Sequence, residues 1–219
     1  LLPETFTTGF LGDQNLDPET MDGATVAWMR HQASALDVAV AGSVVIGEDG
    51  GRYNRFLFVT PDGKVAHYDK RHLFAYGGEH KRYLAGDRRE IVEFRGWRIC
   101  LQVCYDLRFP VWCRNRNDYD LMVFVANWPA KRVNAWSALL RARAIENQAC
   151  VIGINRVGED GKGIEYPGLS AAYDGLGNPI VELGGEVACA IAELDLEELR
   201  KLRTELPFLA DADDFHIKL

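Results

Sequence analysis

The chain lacks the features that would tie it to a membrane, to nucleic acid or to an oxidising compartment. No apolar stretch approaches the roughly 20 residues of a membrane span, because charges such as Asp120 and Lys131 interrupt every contender. Basic charge is in deficit: 25 Lys and Arg against 32 Asp and Glu leave a formal net charge of -7. A phosphate-tracking face needs clustered cations, so nucleic acid is not expected as a partner. The five cysteines, an odd number, include no C-x-x-C pair. That spacing fits neither a disulfide framework nor a zinc site and suits a reduced, cytoplasmic setting. Internal repeats, low-complexity tracts and linkers are also missing, and 219 residues at 47% hydrophobic and 26% charged can bury one sizeable core. The expectation is a single domain over residues 1–219.

Periodicity predicts an α/β chain with mixed sheets. Asp17-Pro18-Glu19 reads as an N-cap with proline at the first helical position, opening an amphipathic helix that runs through Met21, Val26, Met29 and Ala33 to about Leu36. Residues 38–46 are strand-like, and 53–59 pair with 64–68 across Pro61-Asp62-Gly63. A second hairpin runs from 90–94 through Arg95-Gly96 into an apolar strand that ends at Cys104. Residues 121–126 form a fully apolar strand, followed by a helix over 131–148 and another buried strand at 149–154. Antiparallel strands are expected at 169–174, 179–183 and 187–194. Asp195 with Glu198 resembles a capping box for a last helix striped by Leu196, Leu199, Leu202 and Leu206. The tail, 208–219, has no period.

Cys104 sits where an apolar strand stops and Asp106, Leu107, Arg108 and Pro110 announce a turn into a helix. Such a corner projects a nucleophile from the strand end and aims the backbone N–H groups of the following helix at the same spot. The plainer alternative is a buried cysteine acting as a small hydrophobe. Glu4, at the end of the apolar lead Leu1-Leu2-Pro3, and Lys70, just past a hairpin strand, are each by themselves ordinary surface charges.

Taken together they form a pattern. Pro3-Glu4 with the following Thr7-Thr8-Gly9, Tyr68-Asp69-Lys70-Arg71-His72-Leu73-Phe74, and Cys104-Tyr105-Asp106-Leu107-Arg108-Phe109-Pro110 resemble the three signatures of the nitrilase superfamily of carbon–nitrogen hydrolases, in the family's order and at intervals of 66 and 34 residues. The resemblance implies a four-layer α–β–β–α sandwich. It also implies a native protein longer at its start by one strand–helix unit, roughly 30 to 40 residues. Further, it implies a homodimer or higher homo-oligomer paired through helical faces, with the 208–219 tail reaching across.

The resemblance assigns a Glu4–Lys70–Cys104 triad. A thiol near its free pKa is mostly neutral at pH 7 and needs a base or a nearby cation. Glu4 would be the base, and the Lys70 ammonium with the Tyr105 backbone N–H would hold the oxyanion, at about 3 to 4 kcal/mol per donor. Glu79 lies where relatives carry a second glutamate that orients the lysine or substrate; its alternative is an exposed loop acid. His72 and His80 suit no common metal motif, and neither a metal nor a cofactor is expected.

Within the superfamily, His72-Leu73-Phe74, the run Glu79-His80-Lys81-Arg82-Tyr83 with Ala85-Gly86, Asn127-Trp128-Pro129 and residues 208–213 most resemble the bacterial ω-amidases. That resemblance implies ammonia release from the terminal amide of small 2-oxo acid amides such as 2-oxoglutaramate and 2-oxosuccinamate. Their carboxylate favours a bidentate cation, for which Arg108 is the sequence candidate, with a structural partnership to Asp106 or a helix end as its alternative. Trp128 and Phe74 are candidate pocket walls or simply core. Other readings are an amidase acting on deaminated glutathione or N-carbamoyl amino acids, and a non-catalytic binding module on the same fold. A thiol redox protein is disfavoured, since Cys100 and Cys104 on one strand would stand about 13 Å apart.

Overall fold

The computed structural model describes residues 1–10 and 17–218. Its first sheet is an antiparallel meander, β1 (Val40–Glu48), β2 (Gly51–Val59) and β3 (Val65–Asp69), in that spatial order. The second sheet has six strands. Its centre, β5 (Trp97–Val103), β6 (Leu121–Ala126) and β7 (Cys150–Asn155), is parallel. Antiparallel β4 (Ile91–Phe94) flanks β5, and β10 (Ala171–Tyr173) followed by β11 (Pro179–Glu182) flanks β7. The parallel strands are apolar on both faces, as strands covered on both sides must be.

The alternation along β2 shows how the layers stack. Phe56 and Phe58 join the core shared with β5 and β6, whereas Leu57 and Val59 pack with Val26, Met29 and Ala33 of α1 (Ala24–Leu36). Successive side chains on a strand point to opposite faces, so one strand is covered by the second sheet on one side and by a helix on the other. Each large apolar side chain so buried stabilises the stack by about 1.5–3 kcal/mol. The outer face of the second sheet receives α3 (Val133–Asn147), whose Trp136 and Leu140 lie against β7 so closely that a Cβ on Gly153 would come within 2.4 Å of a Leu140 methyl. The order of layers is therefore α1, three-stranded sheet, six-stranded sheet, α3, the expected four-layer α–β–β–α sandwich of mixed sheets. Among the described residues, no helix is long and apolar enough to cross a membrane.

Two local expectations are corrected. First, α1 begins at Ala24 and not at Pro18: Glu19 bridges to Ile46 at the edge of β1, and its carboxylate reaches forward to cap the Thr25 N–H at 2.8 Å. The segment that carries the N-cap signature is thereby held as an extended strap. Second, residues 187–194 form no strand, and Val187 and Ile191 stand 90% and 88% exposed. A run with strand character needs a neighbouring edge for its backbone groups, and among the described residues it has none. The turn after Cys104 is a 3₁₀ stretch, Cys104–Arg108, and it leads as expected into a helix, here the single turn α2 (Pro110–Cys113). The two-strand element of β8 (Val157–Glu159) and β9 (Glu165–Pro167) was not foreseen. The last helix, α4 (Leu196–Glu205), is capped as expected by Asp195, which accepts from the N–H groups of Glu197 and Glu198. Leu219, the end of the tail, lies outside the described residues.

Candidate active site

Carboxyl ends of strands from both sheets converge on one place. Lys70 directly follows β3, Cys104 directly follows β5 and Asn127 directly follows β6. Glu4 arrives on a segment laid along β1, through Leu2 N–H to the Ala41 carbonyl at 2.8 Å and Thr5 N–H to Ser43 Oγ at 2.8 Å. Glu4, Lys70 and Glu79 are completely buried. All three ammonium protons of Lys70 are engaged: Nζ donates to Glu4 Oε1 at 2.8 Å and to the two Glu79 oxygens at 3.0 and 2.9 Å. Asn54 Nδ2 bridges the same two acids, at 2.8 Å to Glu4 and 3.2 Å to Glu79. The second Glu4 oxygen accepts the Asn127 backbone N–H at 2.8 Å, and the Asn127 side chain donates to the Glu4 carbonyl at 2.9 Å. The carboxylate is thus held by donors from three elements and cannot rotate away.

Electrostatics follow from this packing. Burial alone would lower the Lys70 pKa, but the Glu4 and Glu79 charges outweigh it and hold the value well above the ordinary one, so the lysine remains a cation. Burial pushes the Cys104 thiol well above its ordinary pKa; Glu4 adds to the rise and Lys70 opposes it. At neutral pH the resting sulfur is a thiol.

Cys104 occupies a left-handed backbone conformation, φ 46°, which costs a non-glycine residue of order 1–2 kcal/mol. Asp106 maintains that corner. Its buried carboxylate accepts from Val103 N–H at 3.0 Å, Tyr68 O–H at 2.9 Å, His72 N–H at 2.9 Å and His72 Nδ1 at 2.8 Å. The loop that carries Lys70 and the corner that carries Cys104 are therefore tied through one side chain. His72 is further stacked on Phe109, ring centroids 3.6 Å apart. Tyr105 is the second residue of the 3₁₀ stretch, a position whose backbone N–H has no acceptor within the turn.

Cys104 opens onto a cavity of about 480 Å³ lined by Phe74, Tyr105, Arg108, Asn127, Trp128 and Arg132, among others. The sequence candidates Arg108, Trp128 and Phe74 are all on its wall. Arg108 does not pair with Asp106; its guanidinium lies 4.9 Å over the Trp128 ring. Sequence reasoning missed Asn54, the bridging role of Asn127, Asp106 as a tie, and Arg132. Asn54 had no distinct signal, since its strand also carries Arg52 and Arg55; Asn127 had one, its place at the carboxyl end of a buried parallel strand.

A buried Glu–Lys–Glu cluster lies beside a thiol at a strained strand end, and comparison with known proteins gives the class of protein that carries it. Residues 1–204 match the carbon-nitrogen hydrolase family, and the chain belongs to that family, in its ω-amidase branch: it is a hydrolase acting on amides. Among its relatives is the omega-amidase YafV of Yersinia enterocolitica, 51% identical over 218 residues, which cover 98% of this chain and 84% of the relative. The 2-oxoglutaramate amidase of Bacillus subtilis is 34% identical over 217 residues, covering 96% and 83%. A crystal structure of a CN-hydrolase superfamily protein from Xanthomonas campestris, with an arsenic adduct in its active site, superposes with a TM-score of 0.96 at 50% identity, covering 99% of this chain and 85% of that one.

Proposed function

We propose that this chain releases ammonia from the terminal amide of small 2-oxo acid amides, such as 2-oxoglutaramate and 2-oxosuccinamate, through a thioester on Cys104. The observation that carries the reading is the fully buried Glu4–Lys70–Glu79 cluster set beside a cysteine that faces a pocket containing two arginines. Glu4 takes the thiol proton as Sγ attacks the amide carbon, since a sulfur with a raised pKa needs a base at the moment of reaction. The carbonyl electron pair moves onto oxygen, which accepts hydrogen bonds from the Tyr105 N–H and from a Lys70 N–H turned away from Glu79. Collapse of the intermediate expels the amine, protonated by Glu4, as ammonia. Glu4 then deprotonates a water that cleaves the thioester, giving the acid and restoring the thiol. Support for the cysteine's part comes from a relative of 26% identity and TM-score 0.81, a Glu-to-Gln variant of an amidase from Nesterenkonia in which acrylamide has added to the active-site cysteine.

The test is ammonia release from a panel of 2-oxoglutaramate, 2-oxosuccinamate, glutamine, asparagine, an N-carbamoyl amino acid, deaminated glutathione and a simple nitrile. Preference for the two oxo acid amides supports the reading; preference for another member replaces it. If nothing on the panel turns over and Cys104 also fails to react with a thiol reagent at neutral pH, the binding-module reading stands instead. We also propose a homodimer at least, with the tail beyond Pro207, whose Phe208 is 59% exposed, reaching the partner. A monomeric mass by light scattering refutes it.

A further inference from the structure

We propose that Arg132 is a specificity-determining residue, forming with Arg108 the subsite that holds the substrate's carboxylate. The inference rests on the amidase reading for the identity of the substrate, and on the geometry for the site. The arginines packed into the body of the fold hold acids: Arg55 pairs with Glu48 and Asp69, Arg98 and Arg203 share Asp120, and Arg143 pairs with Glu146. The two half-buried arginines on the wall of the Cys104 cavity are different. Among the described residues neither makes an ion pair, and each guanidinium rests on an aromatic shelf, Arg132 at 4.9 Å over Phe74 and Arg108 at 4.9 Å over Trp128.

The same wall carries Glu159, Asp160 and Glu165, and none of the three makes an ion pair with either arginine. Asp160, on the same wall, already accepts from the backbone N–H groups of Lys162 and Ile164 and from Tyr166 O–H. A guanidinium over an aromatic face keeps its N–H fork free at its edge, and that fork matches a carboxylate. The shelves are fixed as well. Trp128 Nε1 donates to the Arg132 carbonyl at 2.8 Å, and Phe74 N–H donates to Glu79 Oε2 at 2.6 Å. The Phe74 ring also meets Tyr105, centroids 5.1 Å apart, next in the chain to Cys104. A carboxylate on the Arg132 fork would therefore be gripped by a shelf whose backbone bonds to the same glutamate that orders Lys70. This couples recognition of one end of the substrate to the groups that act on the other.

The experiment uses 2-oxoglutarate, an unreactive acid, to protect Cys104 from iodoacetamide. Native protein should be protected, and Arg132→Gln should need a concentration about ten- to hundredfold higher, the weight of a charge-assisted hydrogen-bonded pair. Arg132→Lys, which keeps the charge and loses the fork, should fall between. Both variants keep the backbone carbonyl that anchors Trp128. In turnover, the ratio of kcat/KM for 2-oxoglutaramate to that for uncharged valeramide should drop by a similar factor in Arg132→Gln. No protection of the native protein, unchanged protection in Arg132→Gln, or an equal loss for valeramide would each overturn the inference. Protection that depends on Arg132 in an enzyme that hydrolyses no oxo acid amide would keep the carboxylate subsite and sink the substrate reading instead.

Discussion

Asp106 offers the sharpest test of how the site is held together. Its carboxylate is wholly buried and accepts from four donors. Replacement by alanine strands them unequally. Val103 N–H and Tyr68 O–H lie in the core, while the His72 groups are half-exposed. Tyr68 cannot redirect easily, because its oxygen already accepts from Arg71 N–H at 3.1 Å and Trp112 Nε1 at 3.1 Å, leaving its proton only Asp106. At about 1–3 kcal/mol for each buried donor left unpaired, Asp106→Ala should lose about 2–6 kcal/mol in urea unfolding, a large part of the about 5–15 kcal/mol typical of a domain. Asp106→Asn keeps one acceptor oxygen and should lose about half as much. Activity should fall in both, since the Val103 bond holds the strained Cys104 corner and a displacement of about 1 Å can cost on the order of a hundredfold in rate. A loss under about 1 kcal/mol in Asp106→Ala, or native kcat/KM in a well-folded Asp106→Asn, would refute the argument that one side chain registers the two loops.

Three further outcomes are expected. Lys70→Met leaves two buried carboxylates without their cation, so it should cost about 3–5 kcal/mol of stability at neutral pH and about 10²–10³ in kcat; more than one tenth of native turnover would remove Lys70 from the mechanism. Glu4→Gln removes a charge that raises the Cys104 pKa and leaves the lowering pull of Lys70 less opposed, so thiolate absorbance should appear at lower pH than in the native protein while turnover falls by about 10²–10⁴. Thiolate absorbance that appears at an unchanged or higher pH would show the sign to be wrong. Gly86→Ala would place a Cβ 2.2 Å from the Asp69 carbonyl oxygen, beside the Gly86 N–H bond to the Lys70 carbonyl; the forced shift should lower the melting temperature and kcat together, at about 1–3 kcal/mol in stability, and a native-like variant would show that Lys70 is not held from its backbone.

Much of this architecture is legible in the sequence because two periodicities carry it. The strand at 121–126 was bounded from its apolar run alone, and the Asp195 cap from its spacing to Glu198. What escaped has physical reasons. Glu19 caps a helix from outside it, a contact between a strand edge and a helix start that no local pattern encodes. Residues 187–194 carry strand character, but a ladder requires a neighbour, and neighbours are not a property of a segment. In the site, Glu4, Lys70 and Cys104 are separated by long intervals and could be grouped only by their likeness to a known family. Asn54, Asp106 and Arg132 act through partners up to tens of residues distant, such as Tyr68 O–H on Asp106 across 38 positions, and their roles become visible only when those partners meet.

The second glutamate then acquires a physical purpose within the proposed mechanism. Glu4 and Lys70 alone would form a neutral pair beside the thiol, and a lysine satisfied by one acid would be drawn toward it and away from the reacting carbonyl. Glu79, gripping Nζ through both oxygens and itself held by Phe74 N–H and Asn54 Nδ2, supplies a competing anchor. Two acids and one ammonium leave one net negative charge in a buried site, which resists formation of a thiolate at rest. When Sγ attacks, its proton moves to Glu4 and the negative charge appears on the substrate oxygen. No new charge is created; one is relocated from Glu4 to the substrate oxygen, with Lys70 already bonded to Glu4 at 2.8 Å. Apart from the one Lys70 N–H that leaves Glu79, that relocation needs little reorganisation because the other donors are already fixed by buried hydrogen bonds, the condition under which electrostatic stabilisation of a transition state is largest. Glu79→Gln should therefore act mainly on kcat and leave KM for the amide near native; a change confined to KM would mean that Glu79 binds substrate and does not position the lysine.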